Sequence, residues 1–177
     1  MNKLKPCKRM GQVSPRLSPS SPLTIDRSLV FPLEAGKQAE EADSRGIKYV
    51  NKVVCGEIHT LAIHKDDKLI ATGHNGQGQL GNGTTTDIDT WTTVIAGGVK
   101  DAACGTYHSL VLKTDGTLWA TGWNFKGQLG TGDTTGYLTW TEVLSGVKGI
   151  ACGATSSMAI KDNGTLWVAG DNCWNQL

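Results

Sequence analysis

Three groups of residues in this chain have the types that chemistry needs, and each is undone by its own spacing. Cys55 with His59, and Cys104 with His108, set a thiol four residues ahead of an imidazole, the raw material of a zinc site. No Cys-x-x-Cys pair accompanies them, and in an extended strand residues four apart stand ~13 Å from each other, too far to share one ion. The third occurrence keeps Cys152 but puts Ser156 where the histidine stood. The expected role is structural: a small buried thiol beside a glycine, and a histidine bonded to nearby backbone. Cys55, Cys104 and Cys152 are expected as free thiols rather than disulfides, and no metal or cofactor is expected.

Ser109, His108 and Asp115 carry the groups of a hydrolytic triad. Adjacent strand residues point to opposite faces, so Ser109 and His108 cannot exchange a proton directly, and no sharp strand-to-helix turn presents the serine. Gly76-Gln-Gly-Gln-Leu-Gly81 fits the dinucleotide pattern G-x-G-x-x-G, yet the corresponding stretch Phe125-Lys-Gly-Gln-Leu-Gly130 has lost its first glycine. No strand–turn–helix surrounds either copy, so the pattern belongs to a repeated turn. Asn82-Gly-Thr84 and Asn163-Gly-Thr165 match glycosylation acceptors but fall in the same kind of turn. The chain reads as non-enzymatic.

The elements that hold these residues repeat. Cys55-Gly56, Cys104-Gly105 and Cys152-Gly153 recur at spacings of 49 and 48 residues. Anchored there, Val50, Val99 and Val147 coincide, followed by Leu69, Leu118 and Leu166, then Gly73, Gly122 and Gly170, then Asn75, Asn124 and Asn172. Trp91 and Trp140 also coincide, each three residues before a valine. A period of this length marks a solenoid, a propeller or an array. Within a unit, His108–Lys113 and Thr117–Gly122 are short strand-like runs joined by Asp115-Gly116, a hairpin signal because glycine accepts positive φ. Leu110-Val111-Leu112 is apolar without alternation, which predicts a strand covered on both faces, as in stacked propeller blades.

Composition agrees. The 23 glycines show no collagen-like period and imply many tight turns, and no apolar run is long enough to span a membrane. Net charge is +1, so no global field draws the chain to nucleic acid or membrane. Residues 1–46 differ: eight Lys/Arg against five Asp/Glu give +3, and all five prolines lie there. That stretch reads as a disordered basic leader rich in Pro and Ser, without the apolar core of an export signal, which leaves the cytoplasm as the default compartment.

Val99–Lys113, Asp115–Gly122 and Asn124–Gly132 together resemble the repeat of the regulator of chromosome condensation (RCC1) family. The combination Cys-Gly-x-x-His-Ser, Asp-Gly-x-Leu and Asn-x-x-Gly-Gln-Leu-Gly carries the likeness, and its compact form looks more like bacterial members. The resemblance implies a closed β-propeller of four-stranded blades that binds protein partners through its end-face loops. Nucleotide exchange on a small GTPase, the activity of the founding member, depends on a wedge-like insertion that these units lack. Inhibition of β-lactamases by a secreted bacterial relative makes a piece of an exported bacterial surface protein the other alternative.

The expected architecture is therefore all-β: a partial RCC1-type propeller of about three four-stranded blades, the last incomplete. Repeat 1 spans 47–98, repeat 2 spans 99–146 and a truncated repeat 3 spans 147–177. Such an arc has two raw ends, and ~400 Å² of apolar face at each costs about 10 kcal/mol as an upper bound. The expectation is a fragment of a longer propeller protein, or self-association through the open blade ends. Candidate partner-binding residues are those that vary between units inside constant loops: Trp123, Phe125, Lys126, Tyr107, His74 and Trp174. Large aromatics on rigid loops anchor interfaces, and Trp123 with Phe125 leads the set.

Overall fold

Two glycine turns read from the sequence sit where central strands turn, Asp115-Gly116 in the second unit and Asn163-Gly164 in the third. In the computed structural model, which describes residues 49–177, eleven strands follow one another and no helix occurs among the described residues. The first unit holds β1 (Val50–Cys55), β2 (His59–His64), β3 (Leu69–Gly73) and β4 (Ile88–Ile95). The second holds β5 (Val99–Cys104), β6 (His108–Lys113), β7 (Leu118–Gly122) and β8 (Tyr137–Leu144), and the third β9 (Val147–Cys152), β10 (Ser156–Lys161) and β11 (Leu166–Gly170). Each unit is one antiparallel meander, ordered β1-β2-β3-β4, β5-β6-β7-β8 and β9-β10-β11. All-β architecture, separate sheets and an incomplete third blade match the sequence reading. The expected leader, 1–46, lies outside the described residues.

Register is pinned by the central hairpin in every blade and by the outer strand in the first two. Hairpin pairs such as Leu112↔Leu118 and Leu110↔Ala120 run without slippage, whereas the outer strand pairs through bulges, with Leu118↔Leu144 followed by Trp119↔Glu142. The bulges add local twist. They were not readable from the sequence, because a two-against-one pairing needs no particular residue here.

Stacking of the sheets makes the core. β2 packs on β5, and β6 on β9. One apolar cluster joins Leu61, Ile63, Leu69 and Leu80 of the first blade to Val99, Ala102 and Val111 of the second. Its counterpart, one repeat later, joins Leu110, Leu112, Leu118 and Leu129 to Val147 and Ala159. β6 lies between both clusters, and its first five residues are all buried, which is why that strand does not alternate. Backbone bonds staple the hairpin tips across the seams: Val99 N–H donates to Asp67 O and Val147 N–H to Gly116 O, each at 2.9 Å.

Candidate functional site

In a meander the β5–β6 and β7–β8 loops emerge at the same end of the sheet, as do their counterparts in the other blades. The loop after β7 is built by its own motif. Asn124 Oδ1 accepts from Leu129 N–H at 2.9 Å, and its Nδ2 donates to Thr131 Oγ1 and to Asp133 O. Asn75 does the same work in the first unit, accepting from Leu80 N–H and donating to Thr86 O. Gln128 Oε1 accepts from Lys126 N–H. These bonds fix the turn, on which Phe125 and Lys126 are exposed and Trp123 is half-buried.

Gly122 lets the two loops cross. Its φ is +105°, and a Cβ there would stand 2.4 Å from Tyr107 O. The space it leaves allows Trp123 N–H to donate to Tyr107 O at 2.9 Å. Tyr107 and Trp123 then meet edge to face, with centroids 6.1 Å apart. His74 of the first blade reaches Tyr107 at 6.3 Å, and Phe125 stacks on Trp123 at 6.1 Å with 13° between the planes. Four of the six residues singled out in the sequence thus form one continuous row across two blades. Phe125 is 70% exposed. Lys126 pairs with Asp171 of the third blade at 3.7 Å, and Trp174, 80% exposed, stands on the third unit's own turn.

Gln128 differs from its counterparts. In the first unit Gln79 Nε2 donates to His74 Nδ1 at 2.8 Å, and in the third Gln176 Nε2 donates to Asp171 O. Gln128 Nε2 is buried with no partner, although residue 123 has the same main-chain carbonyl that Asp171 offers Gln176. A buried donor left unpaired costs about 1–3 kcal/mol.

The thiols and imidazoles have a different arrangement from the expected one. His59 Nε2 lies 2.8 Å from Ser109 Oγ of the next blade, not against nearby backbone, and His108 repeats this with Ser157 at 3.0 Å. Ser109 Oγ donates its own proton to Gln79 O at 2.7 Å. Its oxygen must then accept from His59 Nε2–H, the reverse of the proton transfer a nucleophilic serine needs. Burial pushes both histidines down, His59 to about 4 with His74 adding to the effect, and His108 to about 4 with His59 adding. Burial likewise raises the Cys104 thiol to about 12 and that of Cys152 in the same direction, so neither is a ready thiolate. Cys55, Cys104 and Cys152 form no disulfide, but Cys55 is exposed rather than buried. Among the described residues no group of three or more His, Cys, Asp or Glu is placed to hold a metal ion, and no helix is long and apolar enough to cross a membrane.

Comparison with known proteins agrees with this geometry. A family model described as the regulator of chromosome condensation (RCC1) repeat matches residues 50–79, 99–128 and 147–176, and a second model of the same description matches 115–160. No curated protein sequence matches the chain. Among solved structures, yeast RCC1 (Prp20) bound to Kap60 is similar with a TM-score of 0.64 at 24% identity, over 72% of this chain and 33% of that one. Prp20p from Saccharomyces cerevisiae, a structure described with its binding properties to Gsp1p and histones, gives 0.64 and 24% over 71% and 34%. Human WBSCR16 gives 0.63 at 26%, over 71% and 34%. The chain spans about a third of the length of these structures.

Proposed function

The chain belongs to the RCC1 repeat family, and from that premise we propose that it is a non-enzymatic protein-binding module. Its docking surface is the row His74–Tyr107–Trp123–Phe125, flanked by Lys126 and Trp174. The observation that carries this reading is the continuous aromatic row, which ends on Phe125, 70% exposed. A half-buried tryptophan stacked on an exposed phenylalanine, on a loop fixed by Asn124, fits an anchor for a partner better than a packing residue.

Neither a bound GTPase nor a histone follows from likeness at 24% identity, which carries the fold alone. Exchange activity on a small GTPase stays the second reading, and the near-equal unit lengths weigh against it. The open faces support a third element of the proposal. Leu166, Trp167 and Val168 are consecutive and exposed, so further blades or a second copy would cover apolar surface there.

The test grafts the first unit's residues into the second. The double variant Trp123→His, Phe125→Gly reproduces His74 and Gly76 and should fold as well as the parent by circular dichroism and melting. Affinity capture with the full chain should recover a partner that the graft loses. Equal capture by both proteins refutes the assignment, and so does collapse of the grafted fold, which would make the aromatics packing residues.

A further inference from the structure

The aromatic row lies among carboxylates. Among the described residues, the loops at that end of the sheets carry four of them, Glu57, Asp87, Asp133 and Asp171, against one ammonium, Lys126. Lys126 is itself paired with Asp171 at 3.7 Å. Two of the carboxylates bracket the row. His74 N–H donates to Ile58 O at 2.9 Å, so Glu57, one residue earlier and exposed, belongs to the His74 end. Asp171 reaches Lys126, the residue after Phe125, at the other end.

The rings add to that field. An aromatic face carries negative charge density and attracts a cation. Phe125 is 70% exposed and Tyr107 37%, so both offer ring surface to solvent between the two carboxylates. A phosphate-bearing partner meets no unpaired ammonium here. A neutral apolar segment would cover the rings but leave Glu57 without a counter-charge, and burying a lone carboxylate is costly. A guanidinium satisfies both demands: its flat face stacks on aromatic rings, and its fork of donors fits a carboxylate. The spacing of the row also suits a peptide. Successive ring centroids are 6.1 to 6.3 Å apart, and alternate side chains of an extended chain recur at ~6.6 Å.

Resting on the reading of this row as a docking surface, we infer that its partner is a basic, extended peptide segment bearing arginine on alternate residues. Its guanidinium groups lie over the exposed rings of Tyr107 and Phe125, and the carboxylate of Glu57 neutralises the charge at the His74 end. Lys126 and Asp171, satisfied by each other, close the Phe125 end.

The probe is a labelled peptide of alternating glycine and arginine, titrated into the full chain at low ionic strength and followed by fluorescence anisotropy. Saturable binding is expected, and added salt should weaken it. Citrulline, which keeps the shape of arginine without its charge, should lower affinity about tenfold. Phe125→Leu keeps an apolar side chain but removes the ring, and Glu57→Gln removes the counter-charge; each should lower affinity about fivefold. Both positions are exposed, so the melts of these variants should match the parent. Absent binding, equal binding of the citrulline peptide, or an unaffected Phe125→Leu protein overturns the inference. Loss of a captured partner by the Trp123→His, Phe125→Gly graft, with no binding of the arginine peptide, overturns the inference and leaves the docking surface standing. A graft that captures as well as the parent removes the surface itself.

Discussion

Burial of His59 and His108 makes the stability of this protein depend on pH. Both imidazoles of the repeated motif titrate near 4 when folded, below their usual 6.5. The unfolded chain therefore binds more protons between those two values, and stability must fall as pH drops from about 6.5 toward 4. Above 6.5 neither state is protonated, and these groups add no pH dependence. Each histidine contributes up to about 3 kcal/mol, less if the two are coupled. Denaturant unfolding at pH 7.5, 6 and 4.5 should show that decline. Ser109→Ala should cost about 1–3 kcal/mol at neutral pH by stranding His59 Nε2, whereas the loop substitution Thr106→Ala should leave the midpoint nearly unchanged.

Sequence alone could not place that contact. His108 and Ser109 are neighbours in the chain, and the strand rule correctly separated them. The partner of each serine is the histidine one repeat earlier, about fifty residues away, and a single unit holds no sign of it. A faint signal exists once units are compared: the serine follows the motif position in the second and third units, while the first has Thr60. The aromatic row was readable for a different reason. Constant loops fix geometry, so the variable positions within them had to share one end of the sheet.

Hairpins carry the element scale. Gly116 and Gly164 turn at φ +81° and +87°, and Asp67 takes the same place at +57°. Left-handed backbone costs a side-chain-bearing residue roughly 1 kcal/mol. Asp67→Gly should therefore raise stability by up to about 1 kcal/mol, measured as a shift in denaturation midpoint at constant slope. Gly122→Ala should go the other way by more than about 2 kcal/mol, because it meets both a positive φ and the Tyr107 carbonyl. It should also separate Tyr107 from Trp123, visible as a change in near-ultraviolet circular dichroism. Strand positions were readable because the turn residues punctuate each unit. Bulges at the outer strands were not, since they arise from how a twisted sheet meets its neighbour.

At the scale of the molecule, the units form no single centred core. Each blade gains most of its apolar burial from the blade beside it, so stability is close to a sum of unit and seam terms. Only the second blade has a neighbour on both sides among the described residues.

Hydrogen exchange at three equivalent strands tests this most directly. β2, β6 and β10 are each central in their own sheet, so their ladder bonds are alike and they differ in what is stacked upon them. If stacking supplies the stability, amides of β6, around Leu110 to Leu112, exchange slowest, with β2 and β10 opening at lower free energy. Equal protection in all three strands, or slower exchange in β2 or β10 than in β6, would contradict it.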